Sequence, residues 1–310
     1  MAGLAIICSG QGKQSHDMFD ALLDYPEAAA LYNRVTAECL PGIDLRNPSE
    51  DIFRNDVAQP ALCLYQMMVW EVIRKDLPEV DIFAGYSLGE LGAYACAGVF
   101  SPEVLVKIAA VRGRIMTESA SGTPQSMAGV IGLRRPQVDD LCGKFAAAVA
   151  IVNGPDHFVC GMPLDKVDDY CAAALKLGAV KAVHVPVTVA SHTFYMDKAA
   201  GIFRPELEKV ECNSVFGRVL AGINGGKVFS RDQMLDVLCA QMHHTIDWRG
   251  CMESAYSYGC RIFFELGPGS ALKRMLTAAL PDVQAYSAGD FHDLRGVSKW
   301  LAAVMRRLSD

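Results

Sequence analysis

Long apolar runs are missing from this sequence. None approaches the ~20 residues that a bilayer-spanning helix requires, so no membrane segment is expected. The opening stretch has no basic region and turns polar after Cys8, which does not read as a signal peptide. Positive charge is also scarce: 29 Lys and Arg stand against 35 Asp and Glu, for a net charge of -6. Nucleic-acid binders need a basic surface, and that balance argues against one. The eleven cysteines run from Cys8 to Cys260 with no C-x-x-C pair among them. An odd, scattered set suits neither a disulfide framework nor a zinc site, so no metal is expected. Cys63, Cys96 and Cys239 stand among apolar neighbours and read as small buried hydrophobes. The expectation is a reduced, cytoplasmic protein.

What is present is ordinary globular composition: 310 residues, 51% hydrophobic and 21% charged, with 27 Gly and 14 Pro. That length exceeds one average domain and can bury a sizeable core. The apolar run Leu4-Ala5-Ile6-Ile7-Cys8 stops at Ser9-Gly10-Gln11-Gly12, a buried strand entering a Gly-bracketed turn. The device recurs at Val80–Gly85 before Tyr86-Ser87-Leu88-Gly89, and at Arg261–Leu266 before Gly267-Pro268-Gly269. Such turns belong to the carboxyl ends of parallel strands, where ligands bind. Helical patterns lie between them, one with Pro60 near its first turn, another opened by Ser101 as cap and Pro102 at its first position and running to about Ala120. From Ser126 the order becomes strand, helix, strand, strand, helix, strand, the split β-α-β unit of ferredoxin-like folds. The predicted architecture is α/β: residues 1–123 and 192–310 form a core with a mainly parallel sheet, and residues 124–191 form an inserted ferredoxin-like α+β subdomain.

Gly85-Tyr86-Ser87-Leu88-Gly89 is a G-x-S-x-G pentapeptide between a buried strand and a helix, the setting of a nucleophile elbow. Two glycines make room for a strained turn, and the helix N-terminus favours developing negative charge. The alternative is Ser87 as a helix cap between turn glycines; Ser121 and Ser126 lack the setting and read as loop residues. A serine needs a base within hydrogen-bond reach. Seven histidines are available: His16, His157, His184, His192, His243, His244 and His292. His192 lies where the insert returns to the core, a junction at which clefts form, but spacing alone does not select it. Arg114 has Glu118 four residues on, a routine surface pair. Arg112 instead has Ile108, Ala109, Ile115 and Met116 as its helical neighbours. A guanidinium on an apolar stripe wants an anion from elsewhere, either a distant carboxylate of the chain or a substrate.

Gly10-Gln11-Gly12, Gly85-Tyr86-Ser87-Leu88-Gly89-Glu90, Arg112-Gly113, Ser191-His192 and Gly267-Pro268-Gly269 occur in that order over Leu4 to Leu280. Together they resemble the malonyl-CoA:acyl-carrier-protein transacylase family. In the Cys-Ser-Gly-Gln-Gly start and the Gly-Tyr-Ser elbow, the closest resemblance is to the transacylase (epsilon) subunit of malonate decarboxylase. The resemblance implies a hydrolase-like core with a ferredoxin-like insert. It also implies Ser87 as nucleophile, His192 as base, the backbone N–H groups of Gln11 and Leu88 as oxyanion hole, Arg112 as holder of the malonyl carboxylate, and a carbonyl of Gln241 orienting the base. Met116 and Ser191 would line the pocket. Ser191 is small enough to leave room for an α-methyl, and one methyl changes binding by only ~1–3 kcal/mol. Tyr86 and Ala190 depart from the histidine and proline usual in the family at those places, and His243–Asp247, after Gln241, departs from its usual Asn-Pro-containing stretch.

The implied partners are malonyl-CoA as substrate, an acyl carrier protein with a phosphopantetheine-type arm and, on the finer resemblance, other malonate decarboxylase subunits. No resident cofactor is expected. Lys273 and Arg274 are candidates for a local basic patch on which an acidic carrier would dock. Two rivals remain. A serine esterase would take His243, His244 or His292 as base, and a docking subunit would leave the elbow idle.

Overall fold

The computed structural model describes residues 2–47 and 51–308. In chain order the elements are β1 (Gly3–Cys8), α1 (Pro26–Cys39), α2 (Asn55–Ile73), β2 (Ile82–Gly85), α3 (Gly89–Cys96) and α4 (Pro102–Ala120). Next come β3 (Gln125–Ile131), α5 (Arg135–Lys144), β4 (Ala148–Gly154), β5 (His157–Pro163), α6 (Val167–Lys176) and β6 (Lys181–Val185). The chain then forms α7 (Asp197–Glu208), α8 (Arg231–His243), β7 (Ile246–Asp247), α9 (Trp248–Ser257), β8 (Cys260–Leu266), α10 (Ala271–Ala279), β9 (Gln284–Ser287) and α11 (Val297–Arg307).

Two sheets result. The first has the order β2-β1-β8-β9 and is parallel throughout. Helices cover it, so β1 and β2 read as unbroken apolar runs; Leu4 to Cys8 are all buried. The register sets Cys8 beside Gly85 on one side and Leu266 on the other. All three strands therefore stop at one level, and the turns that follow them share one edge of the sheet. The second sheet has the order β6-β3-β5-β4-β7. Its first four strands, with α5 and α6, have the pairing of a ferredoxin-like unit, as the strand–helix order predicts. The two-residue β7 comes from the core segment after α8 and pairs parallel with β4. It ties the end of α8 to the insert.

Helix α2 is buried along nearly its whole length and packs on α4. Its start differs from the expectation: the helix begins at Asn55, so Pro60 lies inside it rather than in its first turn. The cost is one missing backbone donor one turn further in. Ser126 also departs from its loop reading. It is fully buried in β3, where its hydroxyl donates to the Val187 carbonyl at 2.8 Å and meets His184 Nε2 at 2.7 Å. Ser121 caps the end of α4, hydrogen-bonded to the Glu118 carbonyl. Ser101 caps α4 and Pro102 opens it, as read. All eleven cysteines are free thiols. Among the described residues no helix is long and apolar enough to cross a membrane, and no cluster of three metal-ligating side chains occurs.

Candidate active site

The site lies where the first sheet ends. Gly85 closes β2 and Gly89 opens α3, so the elbow between them must double back against β1. A Cβ on Gly89 would stand 2.0 Å from the Cys8 carbonyl oxygen, and one on Gly85 would stand 2.0 Å from the Gly89 backbone. Only glycine permits that approach. The turn leaves Ser87 in the left-handed region at φ 55°, a conformation that costs a non-glycine residue of order 1–3 kcal/mol. Tyr86 stacks edge-on against Trp248 of α9 at 5.5 Å and braces the turn from the other side.

His192 also has a positive φ, 63°. Helix α8 holds it there. The last four carbonyls of a helix have no intrahelical partner, and two of them are used here. The Met242 carbonyl accepts the His192 backbone N–H at 2.8 Å, and the Gln241 carbonyl meets Nδ1 at 2.5 Å. A carbonyl only accepts, so Nδ1 carries the proton and Nε2 is left as an acceptor. Nε2 lies 2.7 Å from Ser87 Oγ. Burial pushes the imidazole pKa down to about 3, with the Arg112 charge lowering it further and the Gln241 carbonyl opposing. The ring is neutral at physiological pH and able to accept a proton.

The backbone N–H groups of Gln11 and Leu88 donate to no acceptor among the described residues. Leu88 is the N-cap of α3, so its N–H adds to the positive end of that helix. The Gln11 side chain donates to Asn55 Oδ1 at 3.1 Å, and Asn55 in turn donates to Thr117 on α4. A cleft of about 550 Å³ opens beside Gln11, lined among others by Asn55, Thr117, Val187 and Thr188, with exposed Phe53 at its rim.

Arg112 is 2% exposed on α4. Its Nη1 donates to Gln59 Oε1 at 2.8 Å and its Nη2 to Gln241 Oε1 at 3.1 Å, and no carboxylate pairs with it among the described residues. Desolvation pulls the guanidinium pKa down to about 10. The distant-carboxylate alternative is therefore not what the structure displays. Met116 sits beneath this group, with Gln59 Nε2 directed at its sulfur. Ser191 is half-buried and turns its hydroxyl toward Met127 of the insert rather than toward Ser87.

The other candidate bases stand elsewhere. His243 meets Asp197 at 2.7 Å and stacks on His244, and His292 is exposed. Lys273 is not a free cation: it pairs with Asp290 at 2.8 Å and lies over the Tyr286 ring, while Arg274 donates to Ser270. Three residues at the site were not singled out from the sequence, Gln59, Asn55 and Glu90. Polar side chains on the otherwise apolar α2 and α3 were the available signal.

Comparison with known proteins gives the chain its family. The acyl transferase domain family model matches residues 5–288. Malonyl CoA-acyl carrier protein transacylase of Haemophilus influenzae is 26% identical over 97% of this chain and 100% of its own. The enzyme of that name from Escherichia coli K12 is 28% identical over 93% of this chain and 96% of its own. The crystal structure of acyl-carrier-protein-S-malonyltransferase from Bartonella henselae superposes with a TM-score of 0.88 at 25% identity, covering 97% of this chain and 99% of that one. With the match spanning nearly the whole chain, the protein is an acyltransferase and belongs to the acyl transferase domain family.

Proposed function

We propose that this protein transfers a malonyl group from malonyl-CoA to the thiol of an acyl carrier protein through an ester on Ser87. The observation that carries the reading is a Ser87–His192 dyad adjoining an arginine, Arg112, that is buried with neutral partners alone. His192 Nε2 accepts the Ser87 proton as Oγ bonds to the thioester carbon. The oxygen of that carbonyl becomes anionic and takes the Gln11 and Leu88 N–H groups, each such donor contributing about 3 kcal/mol. The C–S bond then breaks, the imidazolium returns its proton to the CoA sulfur, and malonyl-Ser87 remains. The carrier thiol repeats the sequence in reverse, regenerating the serine. Orientation of the base by the Gln241 carbonyl makes the relay a dyad rather than a triad with a carboxylate. At the negative end of α8, that carbonyl also favours the transient imidazolium.

Arg112 supplies the choice of acyl group: a planar bidentate donor suits a free carboxylate, which malonyl carries and acetyl does not. The names of the two bacterial relatives support both malonyl and the carrier protein as acceptor. The narrower role in malonate decarboxylase rests on the Gly-Tyr-Ser elbow and the Cys-Ser-Gly-Gln-Gly start alone. The test is intact-mass spectrometry within seconds of mixing with malonyl-CoA or acetyl-CoA, followed by addition of a phosphopantetheinylated carrier. A malonyl adduct on Ser87, weak with acetyl-CoA and discharged by the carrier, is expected. Free malonate without an adduct or transfer would mark a hydrolase instead.

A further inference from the structure

Glu90, one turn beyond the nucleophile on α3, is fully buried and belongs to no ion pair among the described residues. Its Oε2 accepts two donors, the Gly222 backbone N–H at 3.0 Å and Gln241 Nε2 at 2.7 Å. The same Gln241 nitrogen donates to the Ser87 carbonyl at 3.0 Å, while Gln241 Oε1 accepts from Arg112. One side-chain amide thus stands between the carboxyl group and the guanidinium, and its two ends are chemically opposite but nearly equal in shape.

We infer that Glu90 is a positioning residue for Arg112, acting through the Gln241 amide: it holds the amide nitrogen toward itself and thereby turns the amide oxygen onto the guanidinium. Were the amide reversed, its N–H₂ would face the Arg112 donors and its oxygen would face two acceptors, Glu90 Oε2 and the Ser87 carbonyl. Because Gly222 N–H already occupies Oε2, that atom is an acceptor toward Gln241 whether or not the other carboxyl oxygen carries a proton. Burial raises the Glu90 pKa to about 7, and the arrangement tolerates either state. The base is insulated from this control, because His192 bonds to the Gln241 backbone carbonyl and not to its amide. The inference rests on the malonyl reading of the site and deepens it.

The experiment compares two rates on purified full-length protein: acylation by malonyl-CoA, and labelling of Ser87 by an uncharged alkyl fluorophosphonate. Glu90→Ala, and Glu90→Met as a variant of similar volume, are expected to lower malonyl acylation about tenfold or more while fluorophosphonate labelling stays within about threefold. Glu90→Gln can still offer its amide oxygen to both donors and is expected to keep both rates within about threefold of wild type. Equal loss of both rates in the Ala and Met variants, or no loss in either, overturns the inference. So does a Gln variant that behaves like Ala, which would assign the effect to charge. Wild-type protein that takes the fluorophosphonate but no malonyl overturns the functional reading itself.

Discussion

Replacing Arg112 by methionine separates its role in substrate choice from any role in holding the fold. The guanidinium is 2% exposed and bonded to two amide oxygens, and burial lowers its pKa from the usual 12.5 to about 10. That displacement corresponds to about 3 kcal/mol set against folding with the charge in place. Methionine of similar reach removes the penalty but strands the oxygens of Gln59 and Gln241, each costing ~1–3 kcal/mol when buried without a donor. The two effects oppose each other, and Arg112→Met is expected to unfold in urea within about 2 kcal/mol of wild type. Substrate recognition should change far more. Two charge-assisted hydrogen bonds to a carboxylate are worth ~1.5–3 kcal/mol each, so kcat/KM for malonyl-CoA should fall roughly 10²- to 10⁴-fold. Acetyl-CoA offers no carboxylate, and its kcat/KM should hold or rise. The assay is transfer from each donor to the same carrier protein, run beside the urea curve. A variant destabilised by more than about 4 kcal/mol, or one losing both donors in equal measure, would refute the reasoning and make Arg112 a structural residue.

Ser87→Ala should abolish the malonyl adduct seen by intact mass, and His192→Ala should slow its formation about 10²- to 10⁴-fold; a full-rate His192 variant would remove that residue as base. With the His192 pKa near 3, lowering the pH from 8 to 5 should leave Ser87 labelling by a fluorophosphonate flat, because the imidazole stays neutral throughout; an inflection near pH 6.5 would contradict its burial. Glu90 titrates the opposite way in its effect on folding. Its folded pKa, about 7, lies above the usual 4.5, so stability present below pH 4.5 is lost as the pH rises through 7. Glu90→Gln escapes that loss, and its stability relative to wild type should improve by up to about 3 kcal/mol between pH 4.5 and 8 in urea unfolding. Gly267→Ala would put a Cβ 1.8 Å from Ser9 Oγ at a φ of +147°, and a destabilisation of about 2–4 kcal/mol is expected by thermal melting.

The parts of the fold that the sequence displayed are those with local causes. Three apolar runs ending in glycine turns marked the three strands whose carboxyl ends carry the site, and the insert announced itself by the order of its strands and helices. The elbow was visible because its close approach to β1 excludes every residue but glycine. Long-range partnerships left no such trace. Among seven histidines only the junction and the family resemblance point to His192, and the carbonyls of Gln241 and Met242 that hold it at the end of α8 are invisible in the sequence. Lys273 reads as a candidate for a docking patch because Asp290, its partner, is seventeen residues away. Pro60 reads as lying near a helix's first turn, yet the helix begins at Asn55, which gives no stronger signal; burial of the whole helix outweighs the missing donor. Gln59 and Glu90 matter only through what they touch across the core.

The surroundings of Arg112 follow from what a carboxylate clamp must avoid. A buried guanidinium needs its N–H groups satisfied, and the strongest partner the chain offers is a carboxylate. A carboxylate in direct contact would fill the donors that the substrate must use and cancel the charge that attracts it. Amide oxygens orient the group and leave its charge standing, at the expense of the desolvation that lowers the arginine pKa. Glu90 is set one amide further away, close enough for its charge to favour Arg112⁺ but outside hydrogen-bond reach of it. That spacing leaves the guanidinium's donors without a competitor. It also places Gln241 where three demands meet: its backbone carbonyl orients His192, its amide oxygen orients Arg112, and its amide nitrogen reaches the Ser87 carbonyl. The nucleophile's turn, its base and the carboxylate clamp come from three different stretches of chain, and one glutamine at the end of α8 fixes their relative positions.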